Sequence, residues 1–125
     1  MNSVKFFLNT NHGYYSSKKA SNIEMEILGR FLTDDVRSNP LSFKEYALND
    51  WEIYTSSNTT SLEKQNSYIL LNDLYSEEEI PTTLKMTHDQ FIKLLDDWEK
   101  KVCKLEPKEV IIKHENGKFI IETKN

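Results

Sequence analysis

Apolar and polar positions change period several times along this chain, and each change marks an element. Val4-Lys5-Phe6-Phe7-Leu8 is a short β-type run stopped by Asn9, Asn11 and Gly13, and it reads as a central first strand. From Ser16 to Val36 the pattern predicts a helix. Ser21 and Glu24 have the form of a capping box, each side chain serving the other's orphan backbone N–H. Ile23, Ile27, Leu28, Phe31 and Leu32 follow as an apolar stripe. Gly29 weakens that helix by about 1 kcal/mol relative to Ala, which makes it a candidate for close packing. Asn39-Pro40 closes the segment. Between Leu41 and Tyr75 strands are expected, through Phe43, Tyr46 and Leu48, then Trp51, Ile53 and Thr55, then Tyr68 to Leu71. Ser56 to Ser61 is all Ser, Thr and Asn, the composition of an exposed loop.

The second helix is the best specified element. Thr87 and Gln90 form its capping box, with Met86 and Phe91 at the two positions of a hydrophobic staple. Phe91, Leu94, Leu95, Trp98, Val102 and Leu105 recur at three- and four-residue spacing, and Pro107 ends the run. Thr83-Leu84-Lys85-Met86 before it reads as a short strand. After it, Val110 to Glu115 and Lys118 to Glu122 flank Asn116-Gly117, the pair a type I′ turn requires, which sets Ile112 opposite Ile121 and His114 opposite Phe119. The expected architecture is α+β: a mainly antiparallel sheet of about five or six strands, two helices on one face, and a closing β-hairpin. At 125 residues the chain is expected to be a single domain, residues 1–125.

Charge narrows the partners. The formal charge is −4, yet the stretch from Lys100 on carries seven Lys and four Glu, leaving nine basic and sixteen acidic groups before it. An acidic body disfavours direct binding of nucleic acid, which needs Lys and Arg along the backbone, and suits a basic protein partner. The one cysteine, Cys103, forms no internal disulfide, and no apolar run approaches the length of a membrane span, so cytoplasm is the expected compartment. The pattern fixes no oligomeric state.

Chemistry is not specified by any motif. Gly13, Gly29 and Gly117 are isolated, which excludes a glycine-rich phosphate loop, and His12, His88, His114 and Cys103 do not fall at metal-ligand spacing. Cys103 lies within a helix register, away from a helix N-terminus that would make it a thiolate. No cofactor, metal or catalytic residue is expected. Asp34-Asp35 and Glu77-Glu78-Glu79 read as electrostatic clusters at turns, and Tyr54 and Tyr75 as aromatic anchors of the kind interfaces favour.

Asn66-Ser67-Tyr68-Ile69-Leu70-Leu71, then Leu84 through Phe91, then Leu94-Leu95-Asp96-Asp97-Trp98, resembles a recurrent pattern of small bacterial immunity proteins. These accompany contact-dependent growth-inhibition and other polymorphic toxins, and Val110-Ile111-Ile112 adds the β segment that often follows that helix. The resemblance implies a cytoplasmic protein that binds the C-terminal domain of its cognate toxin, commonly a basic nuclease, and covers its active site. It carries over no catalytic or contact residues. The candidate contacts Asp34, Asp35, Tyr54, Tyr75, Glu77, Glu78 and Glu79 therefore rest on charge and residue type alone. A protein-binding adaptor, chaperone or assembly subunit outside any toxin system is the alternative reading.

Overall fold

The computed structural model describes residues 2–9, 14–37, 39–49, 53–54, 60–74 and 83–124. Among them eight strands are formed: β1 (Asn2–Asn9), β2 (Tyr14–Ala20), β3 (Ile53–Tyr54), β4 (Thr60–Gln65), β5 (Tyr68–Asp73), β6 (Thr83–Thr87), β7 (Glu109–Glu115) and β8 (Lys118–Lys124). They pair antiparallel throughout into two four-stranded sheets, ordered β2-β1-β7-β8 and β3-β4-β5-β6. β1 is interior, as its apolar run requires, and its Val4 and Phe6 pair with Ile112 and Val110. The closing hairpin takes the register set by its Asn-Gly turn, Ile112 opposite Ile121 and His114 opposite Phe119, with positive φ at Asn116 and Gly117. The His114 ring stacks on that of Phe119 at 4.3 Å.

Three helices complete the α+β fold: α1 (Ile23–Arg30), which widens into a π-helical stretch Phe31–Val36; α2 (Leu41–Leu48); and α3 (His88–Trp98), which widens likewise over Glu99–Cys103. α1 touches β1 and β2 of one sheet and β5 and β6 of the other, and α3 touches β8 as well as β5 and β6. α1 and α3 thus lie on one face of each sheet, the inner one, and α2 packs on α3. Burial on α1 explains why a single stripe does not describe it. At ~100° per residue, buried Met25, Ile27, Leu28, Gly29, Phe31, Leu32 and Thr33 sweep roughly 240° of the helix surface. Both sheets alternate accordingly, with Val4, Phe6, Val110, Ile112, Phe119 and Ile121 inward from the first and Leu62, Ile69, Leu71, Leu84 and Met86 inward from the second.

α3 starts where its sequence says it should: Thr87 Oγ1 accepts from Gln90 N at 3.1 Å and Gln90 Oε1 from Thr87 N at 2.7 Å. Its apolar stripe, however, ends at Val102. Leu105 is 70% exposed, because the chain leaves the helix at Lys104 and turns through Glu106 at positive φ. α1 starts later than expected. Asn22 is the N-cap, its Oδ1 accepting from Met25 N at 2.9 Å, while Ser21 Oγ instead accepts from Ser3 N at 2.8 Å. Residues 16–20, expected in the helix, belong to β2, whose pairing with β1 shifts register at Lys5/Phe6. Leu41–Leu48, expected as strand, is α2: Phe43, Tyr46 and Ala47 bury one helical face against the core. Among the described residues no helix is long and apolar enough to cross a membrane.

Candidate interaction surface

Of the residues singled out by charge and aromaticity, Asp34, Asp35 and the backbone of Tyr54 lie at one end of the second sheet. Thr60 opens β4 opposite Asp73, the last residue of β5, and Asn72 pairs with Thr83, the first residue of β6. Tyr54, placed by its backbone, ends β3 opposite Leu62. Asp35 reaches the same place from the end of the first helical segment, its Oδ2 accepting the Thr60 N–H at 3.1 Å. Asp34 and Asp35 are both half-buried, and the Asp34 carbonyl accepts from Arg37 Nε at 3.1 Å. Tyr75, Glu77, Glu78 and Glu79 lie outside the described residues. The chain departs towards them from Leu74 and returns at Thr83, both at this end of the sheet.

Arg30 and Asp73 fasten this end to α1, and charge reading along the sequence passed over both. Asp73 is 7% exposed and its Oδ2 lies 3.0 Å from Arg30 Nη2. The pair is near enough for a strong Coulombic contact but off the line of a hydrogen bond. Arg30 also meets Glu26, four residues back, at 3.3 Å. The available signal was the lone Asp ending the Tyr68–Leu71 apolar run, since a carboxylate facing the inner side of a sheet needs a cation.

The outer face of that sheet is mixed, with Leu70 and Tyr68 among polar groups that bond one another. Thr83 Oγ1 donates to Asn72 Oδ1 at 2.7 Å, Asn72 Nδ2 donates to Glu63 Oε1 at 3.4 Å, and the Lys85 amine lies 4.0 Å from the centre of the Tyr68 ring. On the inner side, in step with Thr60 and Leu62, Lys64 Nζ donates to the Asn49 carbonyl past the end of α2 and sits 4.7 Å over the buried Tyr46 ring. The outer face thus offers both hydrogen-bonding groups and the Tyr68 ring to a partner.

The opposite end of the sheet holds a groove of about 450 Å³ lined by Asn66, Ser67, Thr87, His88 and Asp89. It lies where the β4–β5 turn meets the first turn of α3, and Asp89 gives it a negative rim. Cys103 is half-buried, its S–H reaching the Arg37 carbonyl at 3.5 Å, and burial followed by the charge of Glu99 pushes its thiol pKa up, away from a nucleophile's. Among the described residues no three His, Cys, Asp or Glu side chains are grouped so as to hold a metal ion. No family model matches this chain, and no curated protein or solved structure does.

Proposed function

We propose that this protein acts by binding rather than catalysis, as an immunity-type inhibitor that neutralises a cognate toxin domain in the cytoplasm by covering its active site. The observation that carries this reading is the convergence of strand ends at one pole of the second sheet. Asp34 and Asp35, Tyr54, and both ends of the connection that carries Tyr75 and the Glu77–Glu79 run meet there. A rigid sheet end fixed by the Arg30–Asp73 pair, with acidic sequence attached to it, has the charge to meet a basic nuclease. Attraction of that kind speeds encounter and is weakened by salt.

The test is co-expression with the toxin-like domain encoded immediately upstream in the source genome, scoring growth rescue and co-purification. Rescue with a stable complex is expected. Charge reversal at Glu77–Glu79 should then slow association more than it speeds dissociation, because long-range attraction acts chiefly on the on-rate. Soluble expression without rescue, or no toxin-like neighbour at all, refutes the reading and leaves an adaptor, chaperone or assembly subunit.

A further inference from the structure

The outer edge of the first sheet, β8, has a partner strand on one side only among the described residues. In the β7–β8 hairpin the two-residue turn makes Glu115 and Lys118 a hydrogen-bonded pair, and the parity alternates from there. The backbone N–H and C=O of Phe119, Ile121 and Thr123 therefore point away from β7, towards the open edge. Lys101 confirms the direction: its Nζ donates to the Ile121 carbonyl at 3.3 Å from outside the sheet. Among the described residues no strand pairs on that side of β8.

We propose that this edge is a homodimer interface, with β8 pairing antiparallel to β8 of a second copy about a two-fold axis through Ile120. Parity selects the possible registers. Edge-facing residues must pair with edge-facing residues, so Phe119 exchanges both hydrogen bonds with Ile121 of the partner subunit. On the solvent face this register brings Ile120 against its own copy and Lys118 opposite Glu122 of the partner subunit, twice by symmetry. The next allowed register, centred on Ile121, sets Lys118 opposite Lys124 and Ile120 opposite Glu122, a like-charge clash beside an apolar mismatch. Of these two, the first matches charge and shape together. Ile120 is 38% exposed in the single chain, and the pairing gives it cover. Among the described residues the Lys101 amine bonds this edge and must be displaced, and as an exposed lysine it can swing aside. This surface is on the other sheet from the proposed toxin-binding end, so neither reading depends on the other.

Sedimentation equilibrium of the full chain from about 10 μM to 1 mM tests it. The mass should rise from 14.7 kDa towards twice that value with concentration. Lys118→Glu turns two opposite-charge pairs into like-charge pairs and should raise the dimer Kd at least about tenfold. Adding Glu122→Lys should restore it, and Lys101→Ala should lower it. Hydrogen exchange at the Phe119 and Ile121 amides should slow as the dimer forms. A monomer throughout, a Lys118→Glu chain that dimerises more tightly, or a dimer that leaves those two amides unprotected each overturns the proposal.

Discussion

Trp98 joins three parts of the molecule, so replacing it by alanine probes whether the packing between the sheets is as tight as described. Its side chain is 1% exposed, edge-on to Phe6 of β1 at 5.6 Å and to Tyr15 of β2 at 6.1 Å. Its Nε1–H donates to the Arg37 carbonyl at 2.9 Å. A buried Trp covers roughly 150–250 Å², worth about 4–6 kcal/mol at ~25 cal/mol per Å². That is an upper bound, because the unfolded chain hides part of the surface and alanine keeps its β-carbon. Cavity-forming substitutions of this size cost about 3–5 kcal/mol, and we expect Trp98→Ala to cost about 4. With a urea slope near 2 kcal/mol per M, the midpoint should fall by roughly 2 M. Far-UV circular dichroism is the suitable signal, because Trp51 confuses fluorescence. Trp98→Phe keeps ring contacts but loses the N–H, so it should cost less, about 1–2.5 kcal/mol, with Cys103 still donating to the Arg37 carbonyl. A Trp98→Ala midpoint within about 0.3 M of the parent would refute the placement of this ring between β1 and α3.

Three further outcomes follow from local geometry. Arg37 has φ 52° and ψ −119°, a conformation open to glycine and costly for other residues, so Arg37→Gly should raise stability by about 1 kcal/mol after the entropy of the unfolded glycine is subtracted. Thermal denaturation showing a lower midpoint would contradict that. Thr87→Ala removes half of the α3 capping box and should cost about 1 kcal/mol, while Thr87→Ser should be nearly neutral; equal losses would mean the hydroxyl is not the source. Burial, reinforced by the charge of Glu106, holds the Tyr15 phenol up at about 12, and burial, then Glu63, does the same for Tyr46, against an ordinary 10.0. The unfolded chain sheds these protons first, so the stabilisation is complete below pH 10 and is lost as pH rises from there to about 12. Urea midpoints that stay level across that window would rule the linkage out.

What could be read from the residues alone divides by how local the cause is. The start of α3 and the register of the β7–β8 hairpin were legible because each is fixed within a few residues, by Thr87 with Gln90 and by Asn116 with Gly117. β2 was not, since Tyr14–Ala20 carries no alternation to show and is held as a strand by β1. β4 begins inside a run of Ser, Thr and Asn, and only its pairing with β5 makes Thr60 and Ser61 strand. α2 misled through β-prone aromatics, although the spacing of Phe43, Tyr46 and Ala47 is helical. The second sheet was hidden for a related reason: Met25 to Thr33 is buried well beyond one stripe, and that excess burial was the trace of a layer on each side. Asp34 and Asp35 were legible as charges but not as half-buried groups, because the bond from Thr60 N to Asp35 spans two distant segments.

The pairing of β1 with β7 sets a schedule for the molecule. Val4 finds Ile112 only after more than a hundred intervening residues have been made, so on the ribosome β1 can close only its β2 side at first. Until the last hairpin emerges, Val4 and Phe6 have half a sheet beneath them, and α1 and α3 have a complete layer on one side only. Folding of the whole must therefore be late, dominated by distant contacts and slow for its size. A protein organised this way reaches its folded form only once the β7–β8 hairpin has left the ribosome, which favours a cell that keeps a standing pool over one that makes it on demand.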